Sequence, residues 1–154
     1  MNDFAQAILA VGILLKKDEK ILLHRRAGGI YASGNYDIPG GHVDEGELIL
    51  AAAAREAKEE LGVDIDAQDL TLFHVIERPN GDDDKYRVNF GFVCERWKGT
   101  PKIMEPDKCD ELLWAKIDDL PSRTVPWTVQ VLEGYQKQIL FFDILIATNL
   151  TRRA

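Results

Sequence analysis

Residues 41–63, GHVDEGELILAAAAREAKEELGV, combine a glycine turn, an alanine-rich helix and three glutamates at one spacing. Glu56, Glu59 and Glu60 stand at i, i+3 and i+4, so on a helix of 3.6 residues per turn they fall within an arc of about 100°. Like charges so placed weaken an isolated helix by roughly 0.2–0.5 kcal/mol per pair, and the cluster therefore wants a cation. Mg²⁺ meets that need, because hard divalent ions take oxygen ligands and accept one or two carboxylates completed by water and substrate phosphate. Leu50, Ala54, Ala57 and Leu61 follow i, i+4, i+7 and i+11, which predicts a narrow apolar stripe roughly opposite the glutamates. The alanines at 51–54 favour helix and close packing on a sheet, and Gly62 suits the left-handed residue that ends a helix. Pro39, Gly40 and Gly41 break the preceding segment and let backbone approach a ligand.

Working outward, Ile8 to Lys16 and Lys20 to Arg26 read as strands around a turn at 17–19, followed by a glycine-containing loop from Ala27 to Asn35 and a short segment at Tyr36 to Ile38. Leu70 to Glu77 and Tyr86 to Glu95 read as strands separated by the acidic, turn-rich PNGDDD stretch at 79–84. Glu111 to Ile117 reads as a short strand, and Pro126 to Gln138 as a terminal helix with proline in its first turn. Strands flanked by two helices predict an α/β fold, an α/β/α sandwich. No internal repeat or linker interrupts the chain, and 154 residues with 45% hydrophobic content suit one domain spanning 1–154.

The charge balance limits the partners. A net charge of −7 argues against nucleic-acid polymers and anionic membranes, since phosphate backbones select basic surfaces. Cys94 and Cys109 are too few for a disulfide framework, which points to reduced thiols and a cytoplasmic setting. The apolar run from Phe4 to Leu15 has no basic region ahead of it and no clear cleavage site after it, so it reads as a first strand. Ile139 to Ala147 is too short to span a bilayer and is interrupted by Asp143; it reads as packed structure, within the domain or against a second copy.

The quoted segment resembles the Nudix box, the signature of hydrolases acting on nucleoside diphosphates linked to another group. The family pattern is Gly, five residues, Glu, seven residues, Arg-Glu, an aliphatic, any residue, Glu-Glu, any residue, Gly, aliphatic. Gly41, Glu47, Arg55, Glu56, Glu59, Glu60, Gly62 and Val63 stand in register, and Ala57 is smaller than the usual aliphatic. With average residue usage the fixed identities would coincide on the order of once in 10⁸ start points.

The resemblance implies a Nudix-type sandwich with a mixed β-sheet, and a metal site for Mg²⁺, with Mn²⁺ as a substitute. Glu56 and Glu60 would ligate the ion, the Gly40 carbonyl would complete the inner site, and Glu59 would bind a further ion or take a proton from water. The base stays open between Glu56 and Glu59. Glu47 and Arg55 read as an ion pair fixing the loop against the helix, with Gly41 and Gly62 structural. Many relatives carry a carboxylate about six residues before the tryptophan of a late strand; counted back from Trp114 that position is Lys108, which leaves Glu105, Asp107, Asp110 and Glu111 as neighbouring carboxylates.

Substrate contacts are expected from Arg25 and Arg26, one of which should face the cleft, and from Lys108 as a point charge for phosphate. Of the histidines, His24, His42 and His74 show no ligand spacing, and His42 alone lies in the box loop. Tyr31, Tyr36, Phe92 and Trp127 are candidates for stacking on a base. The expected activity is Mg²⁺-dependent pyrophosphohydrolysis of a nucleotide, first a nucleoside triphosphate, oxidised or otherwise abnormal, to monophosphate and pyrophosphate. The alternatives are ADP-ribose, a nucleotide sugar or a dinucleoside polyphosphate as substrate, or a non-catalytic nucleotide-binding module. A homodimer is a further expectation.

Overall fold

The run Ile8–Lys17 forms β1, and its residues alternate between two buried faces. Val11, Ile13 and Leu15 belong to one core cluster with Ala52, Ala53, Ala57 and Leu61, whereas Leu14 belongs to another with Val131 and Leu132. A strand buried on both sides needs a continuous apolar run, which is why neither β1 nor β2 (Lys20–Arg26) alternates polar with apolar. The two helices, α1 (Ile49–Leu61) and α2 (Pro126–Gln136), cover these opposite faces. The computed structural model describes residues 4–78 and 85–143.

The remaining strands are β3 (Tyr36–Asp37), β4 (Gly40–His42), β5 (Leu70–Arg78), β6 (Arg87–Cys94), β7 (Cys109–Lys116) and β8 (Phe141–Asp143). The sheet runs β3-β2-β1-β6-β5-β8, with β4 on β1 and β7 on β2. It is mixed: β1 runs parallel to β6 and β5 parallel to β8, while the other pairings are antiparallel. β1 pairs with β2 only at Lys16–Ile21 and Lys17–Lys20. Its other half pairs with β4, so the box glycines enter the gap where β1 and β2 part.

Two expectations need correction. Leu50 is 39% exposed, and the buried residues of α1 are Ala52, Ala53, Ala57 and Leu61. The glutamates are therefore not opposite the core: Glu60 follows Ala53 by seven residues, close to two full turns, and points to the same side. Periodicity located a stripe but could not say which of two offset stripes meets the sheet. The terminal helix ends at Gln136, two residues earlier than its pattern suggests, where Gln138 turns left-handed at φ 56°. Within the 139–147 run, Phe141–Asp143 is the edge strand β8; residues 144–147 and the PNGDDD stretch at 79–84 lie outside the described residues. Cys94 and Cys109 are buried free thiols.

Candidate metal site and nucleotide cleft

Arg55 organises the box. Its Nε donates to Glu47 Oε1 at 2.9 Å and one terminal nitrogen to Glu47 Oε2 at 3.0 Å, a fork that ties α1 to the loop before it. The same nitrogen donates to the His42 carbonyl at 2.9 Å, and the other reaches Glu56 Oε1 at 2.9 Å and Glu59 Oε2 at 3.0 Å. Arg55 thus supplies cationic charge to a helix face that would otherwise repel itself. The Arg55 bond holds the Glu47 carboxyl below the ordinary carboxylate range. Glu47 also accepts from the Asp44 amide, closing the turn.

Glu60 and Glu56 are largely shielded from solvent, their side chains 14% and 12% exposed, while Glu59 stands 52% exposed at the rim. Burial pushes the Glu60 carboxyl up to about 8, opposed by the Gly40 amide that donates to its Oε2 at 2.9 Å. Burial also raises Glu56, with Arg55 acting against it. Hydrogen bonds from the Ile13 amide to the Pro39 carbonyl and from the Val43 amide to the Leu9 carbonyl flank the β1–β4 pairing. Bonded pairs alternate in an antiparallel ladder, so the N–H and C=O of Gly40 both turn away from β1, and the N–H meets Glu60. The absence of a side chain at Gly41 leaves room for the Glu56 carboxylate, which a Cβ there would displace.

The donors present fit a hard divalent ion: two shielded carboxylates, a third at the rim and an outward backbone carbonyl are all oxygen. Burial raises both carboxyls and the charge of Glu56 raises Glu60 further, so a nearby cation would favour their charged forms. Among the described residues no three acidic, His or Cys side chains converge as a ready ligand set. The reason is visible in the bonds above: Arg55 and the Gly40 amide hold the oxygens that an ion would otherwise collect.

The stretch at 102–108 crosses the end of α1, with the Lys102 amide bonded to the Leu61 carbonyl at 3.0 Å and the Met104 amide to the Glu60 carbonyl at 3.2 Å. It brings Glu105 and Lys108 to the box, where the charge of Glu105 raises Glu56 and Glu60 and that of Lys108 lowers Glu60. Lys108 Nζ is bonded to Glu105 Oε1 at 2.8 Å. Counting back from Trp114 selects Lys108, but the turn folds Lys108 N and Cys109 N onto the Glu105 carbonyl, which carries the nearby carboxylate three residues earlier. Of the other acids, Asp110 and Glu111 grip Arg25 at 2.6 Å each. Arg25 thus faces β7, and of the two arginines it is Arg26 that lines the cleft.

That cleft holds about 160 Å³ and opens on the α2 face of the sheet beside Gly12. Gly40, Gly41 and His42 form one wall, so a single strand borders both the cleft and the glutamates. Arg26 donates to Asp37 Oδ2 at 3.0 Å, and Asp37 also accepts from Thr128 Oγ1 at 2.5 Å and the Ile38 amide at 2.8 Å. These bonds lock β3 to the first turns of α2, where Trp127 lines the cleft. The other proposed stacking residues lie elsewhere: Phe92 is in the core, Tyr36 packs against the α2-side cluster, and Tyr31 is 62% exposed on its loop.

Arg78, Arg87 and Asn89 also line this cleft and were not singled out in the sequence; His74, noted there only as a histidine without ligand spacing, lines it with them. A signal existed: Arg78 and Arg87 end and begin the strands around the acidic turn, and they pair directly across β5 and β6. His74 is buried, and burial drops its imidazole to about 3.

The sequence pattern of the NUDIX domain matches residues 6–135. The 8-oxo-dGTP diphosphatase of Escherichia coli (strain K12) is 31% identical over 120 residues, covering 77% of this chain and 90% of that protein. An ADP-ribose pyrophosphatase of Methanocaldococcus jannaschii is 29% identical over 113 residues, 73% of this chain and 64% of its own length. The crystal structure of a MutT NUDIX hydrolase from Burkholderia pseudomallei superposes with a TM-score of 0.75 at 30% identity, covering 84% of this chain and 98% of that one.

Proposed function

Because the chain belongs to the NUDIX domain family and is a hydrolase of phosphoric anhydride bonds, we propose that it is an Mg²⁺-dependent pyrophosphohydrolase that converts a nucleoside triphosphate, oxidised or otherwise abnormal, to monophosphate and pyrophosphate. The observation that carries this reading is the pair of shielded carboxylates, Glu56 and Glu60, set behind the Gly40–Gly41 wall of a cleft rimmed by arginines and Trp127. A divalent ion, when bound, supplies charge neutralisation for a diphosphate whose oxygens repel an incoming water.

Glu56, Glu60 and the Gly40 carbonyl would hold that ion, with Glu59 at its solvent side. Glu59 is the better placed proton acceptor, since it is exposed while Glu56 lies behind Arg55; the 2.9 Å and 3.0 Å bonds from Arg55 steer both carboxylates. Trp127 offers its ring to the base, and Arg26, fixed by Asp37, borders the phosphates. The test is a panel of nucleotides incubated with Mg²⁺, reading monophosphate and pyrophosphate. Folded protein that turns over no triphosphate rejects the assignment.

Similarity to the M. jannaschii protein favours ADP-ribose as the second reading. Product identity separates the two, since ADP-ribose yields no pyrophosphate.

A further inference from the structure

His24 on β2 is 7% exposed, and its Nδ1 lies 3.7 Å from Glu60 Oε2. Its Nε2 is buried and has no hydrogen-bond partner among the described residues. The strand residues paired with His24 are Leu112 of β7 and Asp37 of β3, and Asp37 is engaged by Arg26, Thr128 and the Ile38 amide. An imidazole so placed costs stability: one polar atom is desolvated without return, and a leucine or phenylalanine at that site of the α1-side core would carry no such penalty. What the imidazole gains lies on its other edge.

The two tautomers are not equivalent there. With the proton on Nε2, a buried donor is wasted and the Nδ1 lone pair faces a carboxylate oxygen. With the proton on Nδ1, the N–H points at Glu60 and only an acceptor goes unused. Glu60 Oε2 already accepts from the Gly40 amide at 2.9 Å, so the imidazole and the amide approach the same oxygen from two strands. Fixing that oxygen leaves Oε1 as the one available to an ion.

We propose that His24 is a positioning residue for Glu60: its Nδ1–H, at 3.7 Å still beyond hydrogen-bond length, closes on the carboxylate when a divalent cation binds and holds it in the orientation that presents one oxygen to the ion. This rests on the reading of Glu60 as a metal ligand given above. Partners behind a ligating carboxylate characteristically change metal affinity by about 10- to 100-fold when removed.

The test measures Mn²⁺ binding without substrate, by calorimetry and by the spin-resonance signal of free Mn²⁺, on His24→Leu, His24→Asn and His24→Gln, alongside thermal unfolding with chelator. Asn places an amide donor near the position of Nδ1, whereas Gln carries it near that of Nε2. Expected are Mn²⁺ affinities about 10- to 100-fold weaker for His24→Leu and His24→Gln, recovery toward wild type for His24→Asn, and a melting temperature for His24→Leu equal to or above wild type. Leu or Gln variants that bind Mn²⁺ like wild type overturn the role of His24, as does His24→Asn binding as weakly as His24→Gln. Should His24→Leu fail to fold, the comparison of Asn with Gln decides alone. Wild-type protein that binds no Mn²⁺ overturns the metal reading itself, a separate result.

Discussion

Replacing Glu60 by glutamine should stabilise the metal-free protein at neutral pH, by an amount that the burial of Glu60 sets. Burial raises this carboxyl from 4.5 to about 8, so between those values the folded protein holds a proton that the unfolded chain releases. The folded state then binds more protons than the unfolded one, and stability falls as pH rises. From pH 4.5 to 7 the window is about 2.5 pH units, worth about 1.36 kcal/mol each, or about 3 kcal/mol in all. His24 and His74, which burial lowers, act in the opposite sense, because their contribution is lost as pH falls below 6.5. Subtracting the Glu60→Gln curve from that of wild type cancels distant His74 and leaves Glu60 together with its coupling to His24, 3.7 Å away. Urea unfolding in chelator at several values from pH 4.5 to 8.5 should show the variant gaining steadily on wild type as pH rises. Adding Mg²⁺ should restore wild type and leave the variant unmoved, as ligand binding stabilises only a state that binds it. Two curves that stay parallel across this range would refute both the burial argument and the electrostatic case for a cation here.

Three further outcomes are expected. Gly41→Ala should lower kcat/KM by about 100-fold with the fold retained by circular dichroism, because the added methyl displaces the Glu56 carboxylate. Unchanged turnover would count against Glu56 as a site residue. Arg26→Ala should cost roughly 3–5 kcal/mol in urea unfolding, since it strips the ion-pair partner from buried Asp37, whereas Arg25→Ala, on an exposed pair with Asp110 and Glu111, should leave melting temperature and turnover nearly unchanged. The reverse order would misplace the two arginines. Trp127→Ala should raise KM by about 10-fold with kcat little altered, from a stacking contribution of about 1–3 kcal/mol, and equal KM values would remove Trp127 from base recognition.

Residues 41–63 carried the family and the fold because their chemistry is local. Glycine spacing, helix propensity and the i, i+3, i+4 glutamates are properties of neighbours along the chain, and β1 and β2 were legible as apolar runs for the same reason. The Glu47–Arg55 bond was readable too, since eight residues separate its partners. Which arginine serves the cleft was not legible: Arg25 and Arg26 differ only in the face of β2 they occupy, and β7, more than eighty residues later, decides it.

The same distinction separates Lys108 from Glu105. Counting back from Trp114 selects Lys108 alone, whereas the turn at 105–108 and the crossing over α1 bring Glu105 to the box beside it. Arg78, Arg87, Asn89 and Trp127 come from three elements that meet only once α2 has docked on the sheet. The sequence by itself determined the box and the helix that carries its carboxylates, because spacing along one helix fixes relative direction, and the anhydride chemistry entered through the family resemblance that the box carries. Only the tertiary structure decided that Glu56 and Glu60 are shielded, that His24 stands behind Glu60, and which side chains shape the cleft, because burial and long-range contact arise from strands brought together across the sheet.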